Sequence, residues 1–265
     1  MTIMDWREVV KLPILHALKH GWRPSALEDR LLKANEDCAN LCRARNGGQI
    51  DTCLSGGIDS SLSLAIMRSL FPVATINAYT IAGSADHPDF VCAQKVAKSF
   101  HAIFHGFIPT AESAAVRHGE LEMLTGRKET LGSVGVFMLY RNVACKRISV
   151  MIAHDGIDEL MGGYWAHRSQ PSIETKYHAF CRAWDRLAED HLDPLIMKAG
   201  HFGITPVFPY LQKDVVEYIT GIPLDARTSR TESKMPLRAM AKKFGVPQEV
   251  IERKKIGFCD ALKEV

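Results

Sequence analysis

Thr52-Cys53-Leu54-Ser55-Gly56-Gly57-Ile58-Asp59-Ser60-Ser61 decides how this 265-residue sequence reads. Residues 49–54 form a largely apolar run of strand length, which meets Ser55-Gly56-Gly57, and a helical pattern opens at Asp59-Ser60-Ser61. A strand that turns through glycines into a helix builds a phosphate cradle. The glycines let backbone N–H groups come close to oxygens, the hydroxyls add donors, and the helix N-terminus carries positive partial charge. Asp59 is an anion among phosphates, which calls for a cation between them, and Mg²⁺ suits carboxylate and phosphate oxygens. The plainer reading is a strand–turn–helix with a good N-cap, which a bare Gly-Gly turn would favour; the full hydroxyl-flanked string favours the cradle. No Gly-x-x-x-x-Gly-Lys-Ser/Thr occurs, so this is not the common loop that splits off a γ-phosphate.

Outward from this stretch, strand and helix patterns alternate. Residues 74–80, 102–107 and 149–153 read as further strands, and 59–70, 89–100 and 133–147 as helices. That order argues an α/β fold, a parallel sheet with helices on both faces, whose strand-following loops gather on one ligand-binding edge. Residues 26–45 read as an amphipathic helix with Leu27, Leu31, Ala34, Cys38 and Leu41 on one stripe, stopped by Asn46-Gly47-Gly48. Beyond about residue 166 strand signals fade, and 174–190, 193–201, 213–218, 233–244 and 247–253 read as helices. The expected organisation is an N-terminal helical extension (1–45), a nucleotide-binding core (46–165) and a C-terminal helical lobe (166–265) that completes the site.

Composition narrows the class. Basic side chains number 33 and acidic ones 30, a net +3 too small for a general nucleic-acid or membrane-surface binder. The apolar runs fall far short of the roughly 20 residues a bilayer span needs, and no secretory signal is visible near Asp5, Arg7 and Glu8. Seven scattered cysteines without a Cys-x-x-Cys pair suit reduced thiols in a cytoplasm. Cys38 and Cys42, four apart on a helix, read as core packing. His101 and His105 lack further ligands for a zinc site and read as surface or core histidines.

Ala153-His154-Asp155-Gly156-Ile157-Asp158-Glu159-Leu160-Met161-Gly162-Gly163-Tyr164 again follows an apolar strand and sets three carboxylates within five residues. Such carboxylates repel one another unless a cation, a base or hydrogen-bond donors compensate, which favours a site at the sheet edge over a solvated acidic loop. Glu252-Arg253-Lys254-Lys255-Ile256-Gly257-Phe258, read on composition alone, is a solvated basic helix end.

The glycine loop resembles the PP-loop of the ATP pyrophosphatase superfamily (adenine nucleotide α hydrolase-like), whose members cleave between the α- and β-phosphates. With the Asp-Glu-Leu-x-Gly-Gly-Tyr string, the chain resembles the synthetase domain of the asparagine synthetase family, β-lactam synthetases included, over about residues 26–260. Pro206-Val207-Phe208-Pro209-Tyr210-Leu211 and Lys234 with Leu237-Arg238 resemble further family segments. The resemblance implies ATP and Mg²⁺ as cofactors, with Mg²⁺ on Asp59 and Asp158. It places Leu54, Ser55, Gly56, Gly57, Asp59 and Ser60, then Ile81, Ala153, His154 and Gly156, around the nucleotide, with Arg253 toward pyrophosphate. Asp155 falls where the family carries Glu, or Tyr in β-lactam-forming relatives, and would bind or deprotonate the attacking amine. Lys255, in the family's Arg-x-Lys-x-x-Phe pattern with Arg253 and Phe258, would steady charge on the acyl-adenylate. The expected activity is AMP-forming: a substrate carboxylate or carbonyl is adenylated, and an amide forms with ammonia or an amine.

Three features depart from the family. About 50 residues precede the loop and position 2 is Thr2, so no glutaminase domain is expected. Nitrogen would come as ammonia, from an amine on a substrate, or from a separate amidotransferase or donor subunit; a homo-oligomer stays open. His154 stands where Gly is typical, and either fills a wall or contacts ribose or acceptor. Gln212 replaces an Asp. These changes fit a specialised pathway. Two rival readings keep the loop. One is a sulfurtransferase that adenylates a nucleobase or tRNA carbonyl, with Cys53 or Cys145 carrying persulfide. The other is a nucleotide-binding module without turnover.

Overall fold

A computed structural model describes residues 6–15 and 21–253. Strands β1 (Ile50–Cys53), β2 (Ile76–Ile81), β3 (Ile103–Phe107), β4 (Val150–Ile152) and β5 (Thr205–Val207) form one parallel sheet in the order β3-β2-β1-β4-β5. β2 and β4 are buried along their whole length, and β1 up to its last residue. Helices cover both faces, so no strand face is left to solvent; β4 is apolar throughout, while β1 and β2 bury Asp51, Thr52, Asn77 and Thr80 among their apolar residues. The chain steps outward from β1 through β2 to β3, then returns to lay β4 on the other side of β1. Order reverses between β1 and β4, where α/β sheets open a crevice beyond the carboxyl ends of their strands. The glycine loop leaves β1 there, and the acidic loop leaves β4.

A polar cluster fixes this junction. The Asn46 side chain donates to Asp51 Oδ2 (2.8 Å) and to the Val150 carbonyl (2.7 Å), and accepts from the Ser149 and Val150 amides. Tyr79 Oη and Asn77 Nδ2 donate to Asp51 Oδ1 at 2.9 and 3.1 Å. Burial raises the Asp51 carboxyl above its usual range, while these donors oppose the shift. His105 stacks on Tyr79 with centroids 4.7 Å apart and shares a hydrogen bond with Asn77, so it is engaged in this cluster.

The long helix Pro24–Arg45 starts with proline in its first turn and buries Leu27, Leu31, Ala34, Cys38 and Cys42 in the same core as the sheet. Burial pushes the Cys38 and Cys42 thiols up to about 12, in keeping with packing roles. Helices Ile58–Leu70, Pro88–Ser99 and Leu131–Ala144 lie where the sequence patterns put them, to within a few residues.

Two elements differ from expectation. Helix Ala111–Thr125 has no counterpart in the pattern reading because only Leu121 is buried, so there is no core stripe; its caps, Thr110 and left-handed Gly126, define it instead. β5 comes from the segment expected to be a helical lobe, so the sheet is not confined to residues 46–165. It is three residues long and carries Pro206, which an edge strand tolerates because its missing N–H leaves no ladder bond unmade.

Helices Ile173–Leu187 and Asp193–His201 are joined by a π-helical turn, Ala188–Leu192, where one helix to residue 190 was expected. Helices Lys213–Thr220, Met235–Lys243 and Gln248–Glu252 match the remaining patterns. No described helix is long and apolar enough to cross a membrane. Arg227, fully buried, donates to the carbonyls of Ile14, Leu160, Thr220 and Ile222 at 2.8–3.1 Å. Burial lowers its pKa to about 9, which still leaves it charged at neutral pH.

Arg227→Met should destabilise the chain by about 3 kcal/mol or more, since several charge-assisted bonds of about 1.5–3 kcal/mol are lost together. Chemical denaturation of the variant beside the wild type measures it; a change under about 1 kcal/mol would contradict the tie assigned to this side chain.

Candidate active site

The phosphate-loop geometry begins with Leu54, whose amide donates to the Tyr79 carbonyl (2.8 Å) and prolongs β1 by one buried residue. Gly56 takes φ +69°, and a Cβ there would overlap the Asp89 carbonyl and sit 2.7 Å from the Ala93 amide nitrogen, so a side chain is excluded by backbone. Gly57 caps helix Ile58–Leu70 without a side chain, which leaves first-turn N–H groups for an anion. The Ser55 amide donates to Ser60 Oγ at 3.1 Å, the two hydroxyls lie 3.1 Å apart, and Ser61 Oγ donates to the Gly57 carbonyl. Tyr210 Oη donates to the Asp59 carbonyl at 2.8 Å, propping the loop from beneath.

Across the crevice, the Ala153 amide bonds the Val207 carbonyl of β5, and Gly156 (φ +87°) turns the chain into helix Ile157–Met161, with Leu211 filling the space a Cβ would need. A Cβ on Gly163 would overlap the Asp158 carboxylate, so the Gly-Gly pair lets that carboxylate fold inward. Asp158 and Asp59 meet on one ammonium: Lys234 Nζ lies 2.5 Å from Asp59 Oδ2 and 2.6 Å from Asp158 Oδ1. The lysine side chain is 3% exposed, the carboxylates 17% and 16%. Burial opposes the ammonium, but Asp158 and Asp59 outweigh it and raise its pKa. Lys234 is held at φ 56°, a left-handed conformation unusual for a side chain of this size, and its amide donates to the Met161 carbonyl.

These residues fit a Mg²⁺–nucleotide. Two carboxylates from adjacent strand ends supply the hard oxygen donors the ion takes, and the glycine loop supplies N–H groups for phosphate. Asp59 and Asp158 are the side chains that would hold the metal.

The remaining expected residues divide. Ile81 ends β2, buried. Arg253 pairs with Asp89, whose carbonyl crowds Gly56, so the guanidinium stands beside the loop with its Nη1 buried and unpaired among the described residues. The His154 ring meets Tyr210 edge-on, and its Nε2 is buried without a partner among the described residues; burial drives its pKa down to about 4, so it is neutral at pH 7. Asp155 leaves the Asp59–Lys234–Asp158 cluster and bonds His191 Nε2 at 2.6 Å. Glu159 is buried and accepts from Tyr164 Oη (2.7 Å); burial, then the charge of Asp158, raises its pKa. Lys255 and Phe258 lie outside the described residues.

Sequence reading missed the roles of His191, Tyr210 and Arg227, and took Lys234 only as part of a motif. The two cysteines considered for sulfur transfer, Cys53 and Cys145, form no relay at the crevice. Burial pushes the Cys53 thiol far above its usual range. Cys145 follows helix Leu131–Ala144 and precedes β4, at the amino end of the strands, opposite the crevice.

Lys234→Met should leave two partly buried carboxylates without their shared cation, at a cost of up to about 3–5 kcal/mol of stability. Millimolar Mg²⁺ should raise the melting temperature of this variant more than that of the wild type, because binding stabilises the folded state in proportion to affinity. Equal shifts in both proteins would remove the Asp59–Asp158 pair as a cation site.

Comparisons with known proteins give the family of the chain. The Asparagine synthase family model matches residues 39–202 and 198–265. The chain is 24% identical to an asparagine synthetase [glutamine-hydrolyzing] of Asparagus officinalis, over 90% of this chain and 44% of that protein. It is 28% identical to the Gallus gallus protein of the same name, over 82% of this chain and 40% of that one. It thus spans less than half the length of these relatives. A solved structure of NAD+ synthetase from Burkholderia pseudomallei aligns over 90% of this chain and 92% of that one, at 15% identity and a TM-score of 0.38. With the family model covering most of its length, the glycine loop and the Asp158 loop included, the chain belongs to the asparagine synthase family.

Proposed function

We propose that the chain is an ATP-dependent carbon–nitrogen ligase that adenylates a substrate carboxylate, releases pyrophosphate, and passes the acyl group to ammonia or an amine. The observation that carries this is the meeting of Asp59 and Asp158 on one buried cation, beside a glycine loop that opens a helix.

In this scheme the first-turn N–H groups after Gly57, with the Ser55 and Ser60 hydroxyls, grip the β- and γ-phosphates. Mg²⁺ on Asp59 and Asp158 would supply neutralising charge to the pyrophosphate leaving group. Lys234 is the protein's own cation beside the same phosphates. A carboxylate oxygen attacks the α-phosphorus, and the bond to the β-bridging oxygen breaks with its electron pair going to pyrophosphate. Positioning and fixed charge do most of this work, as phosphoryl chemistry requires. His154, neutral and buried, forms a wall beside Tyr210. Lys255 is assigned, through its motif, to charge developing on the acyl-adenylate. The sulfur route finds no support in the Cys53 thiol, which burial holds protonated.

A working reaction should yield AMP and pyrophosphate; ADP with orthophosphate, separated by ion-exchange chromatography, would refute the scheme. Asp59→Asn should lower turnover by about 10²-fold or more, on the scale of losing a positioned electrostatic group. Lys255→Met should keep ATP affinity within several-fold yet lose product, whereas equal loss of both would refute its late role.

A further inference from the structure

Asp155 is not poised to act alone as a base. Its side chain is 22% exposed, and Oδ1 is occupied by His191 Nε2 at 2.6 Å. Burial pushes its pKa up, but the hydrogen bond and charge of His191 prevail and hold it below the usual carboxylate range. An ionised carboxylate only accepts, so Nε2 must carry the hydrogen, and Nδ1 is the nitrogen left to take a proton. His191 sits on the π-helical turn Ala188–Leu192 with half its side chain exposed, and it lines a cavity of about 490 Å³. His167 lines the same cavity; it is 1% exposed, and its Nδ1 has no partner among the described residues. Burial lowers the His167 pKa to about 4, so at neutral pH it offers an unfilled hydrogen-bonding position to whatever enters.

We propose that His191, oriented by Asp155, takes the proton from the attacking amine, which approaches through this cavity. The proposal rests on the ligase reading above and concerns its second half-reaction. The amine lone pair forms the C–N bond at the acyl carbon. The bond from that carbon to the adenylate oxygen breaks, and its electron pair leaves with AMP. The ammonium proton passes to Nδ1 of His191 and then to solvent. Asp155 is a positioning residue in this scheme, fixing the ring and its tautomer and stabilising the imidazolium, much as a carboxylate orients histidine in hydrolytic triads.

The groups facing His191 set the pH at which it can act. Burial disfavours the imidazolium, while Asp155 and then Glu159 favour it more strongly, against opposition from Lys198; its pKa therefore lies above the ordinary histidine range. Arg182, Arg186 and Asp190 complete the charged surroundings of the cavity, with Arg186 and Asp190 paired at 2.7 Å. The neutral, proton-accepting ring gains population as pH rises, so the acid limb of ligation should report His191.

The test separates the half-reactions. ATP–pyrophosphate exchange is measured for the wild type against the proteinogenic amino acids and their keto- and dicarboxylic analogues. The acid giving fastest exchange is then assayed with ammonium chloride and with hydroxylamine as nucleophiles. His191→Gln should keep exchange within about threefold and lose about 10²–10⁴-fold in ligation, the range for a general base. Its acid limb should vanish, and in Asp155→Asn the limb should move to lower pH, because the anion that raises the histidine is gone. Free imidazole should restore part of the ligation lost in His191→Gln. The proposal fails if His191→Gln ligates within threefold of wild type while Asp155→Asn is inactive. A parallel fall of exchange and ligation in His191→Gln would make the residue structural and overturn it too. Absence of exchange with every acid in the wild type would remove the ligase reading, and this proposal with it.

Discussion

Two aspartates, in the first turns of the helices that follow β1 and β4, share one buried ammonium, and the left-handed backbone of Lys234 and the bare Gly163 serve that arrangement. Asp59 and Asp158 are both largely screened from water, and without Lys234 their mutual repulsion would act in a medium that weakens it little. Holding the lysine there needs its left-handed backbone, the bond from its amide to Met161, and the bare Gly163 against the Asp158 carboxylate. Arg227 secures the same region by binding the Leu160 carbonyl next to Met161, together with carbonyls from three other positions. Positive charge of the kind a bound metal ion would bring is thus partly supplied by the Lys234 ammonium, which keeps the two acids close in the fold itself. The cost is a strained residue at the heart of the site, a common feature of functional centres.

What the sequence made legible was what lies contiguous along the chain. Ser55-Gly56-Gly57-Ile58-Asp59 and Asp155 through Gly163 each carry glycines, carboxylates and a preceding apolar strand within a dozen residues, so their chemistry could be read without knowing what they touch. The parallel sheet followed from β1, β2 and β4, short buried segments that are apolar throughout in β4 and interrupted in β1 and β2 by Asp51, Thr52, Asn77 and Thr80, and that alternate with helix-length stretches. β5 left no such trace, because three residues with a proline at a sheet edge have neither length nor pattern. Helix Ala111–Thr125 was missed for a related reason: one buried leucine does not make a stripe.

The illegible part of the site is the part assembled over long separations. Lys234 is 175 positions from Asp59, Tyr210 is 151 from it, and His191 is 36 from Asp155. Each is an ordinary residue locally; a lone lysine, tyrosine or histidine carries no signal until the fold gives it a partner. His191 is harder still, because the π-helical turn adds a residue to the helical repeat and rotates the side chains that follow.

Under the proposed second half-reaction, the pairing with His191 would let an aspartate serve at position 155, where the family resemblance implies a longer side chain. Shortening a carboxylate by one methylene draws its oxygens back from the acceptor, and a proton shuttle fails when its reach is wrong by even a small distance. A histidine bonded to that carboxylate restores reach, since the imidazole carries the proton-accepting atom outward from Oδ1 to the far side of the ring. It also moves the titrating group from a carboxylate to an imidazole, whose pKa, against burial, Asp155 raises above its ordinary value, making it a stronger base than the carboxylate alone. In that scheme the π-helical turn, the short acid and the half-exposed imidazole would act as three parts of one device, a short side chain from one loop working through a partner from a distant helix.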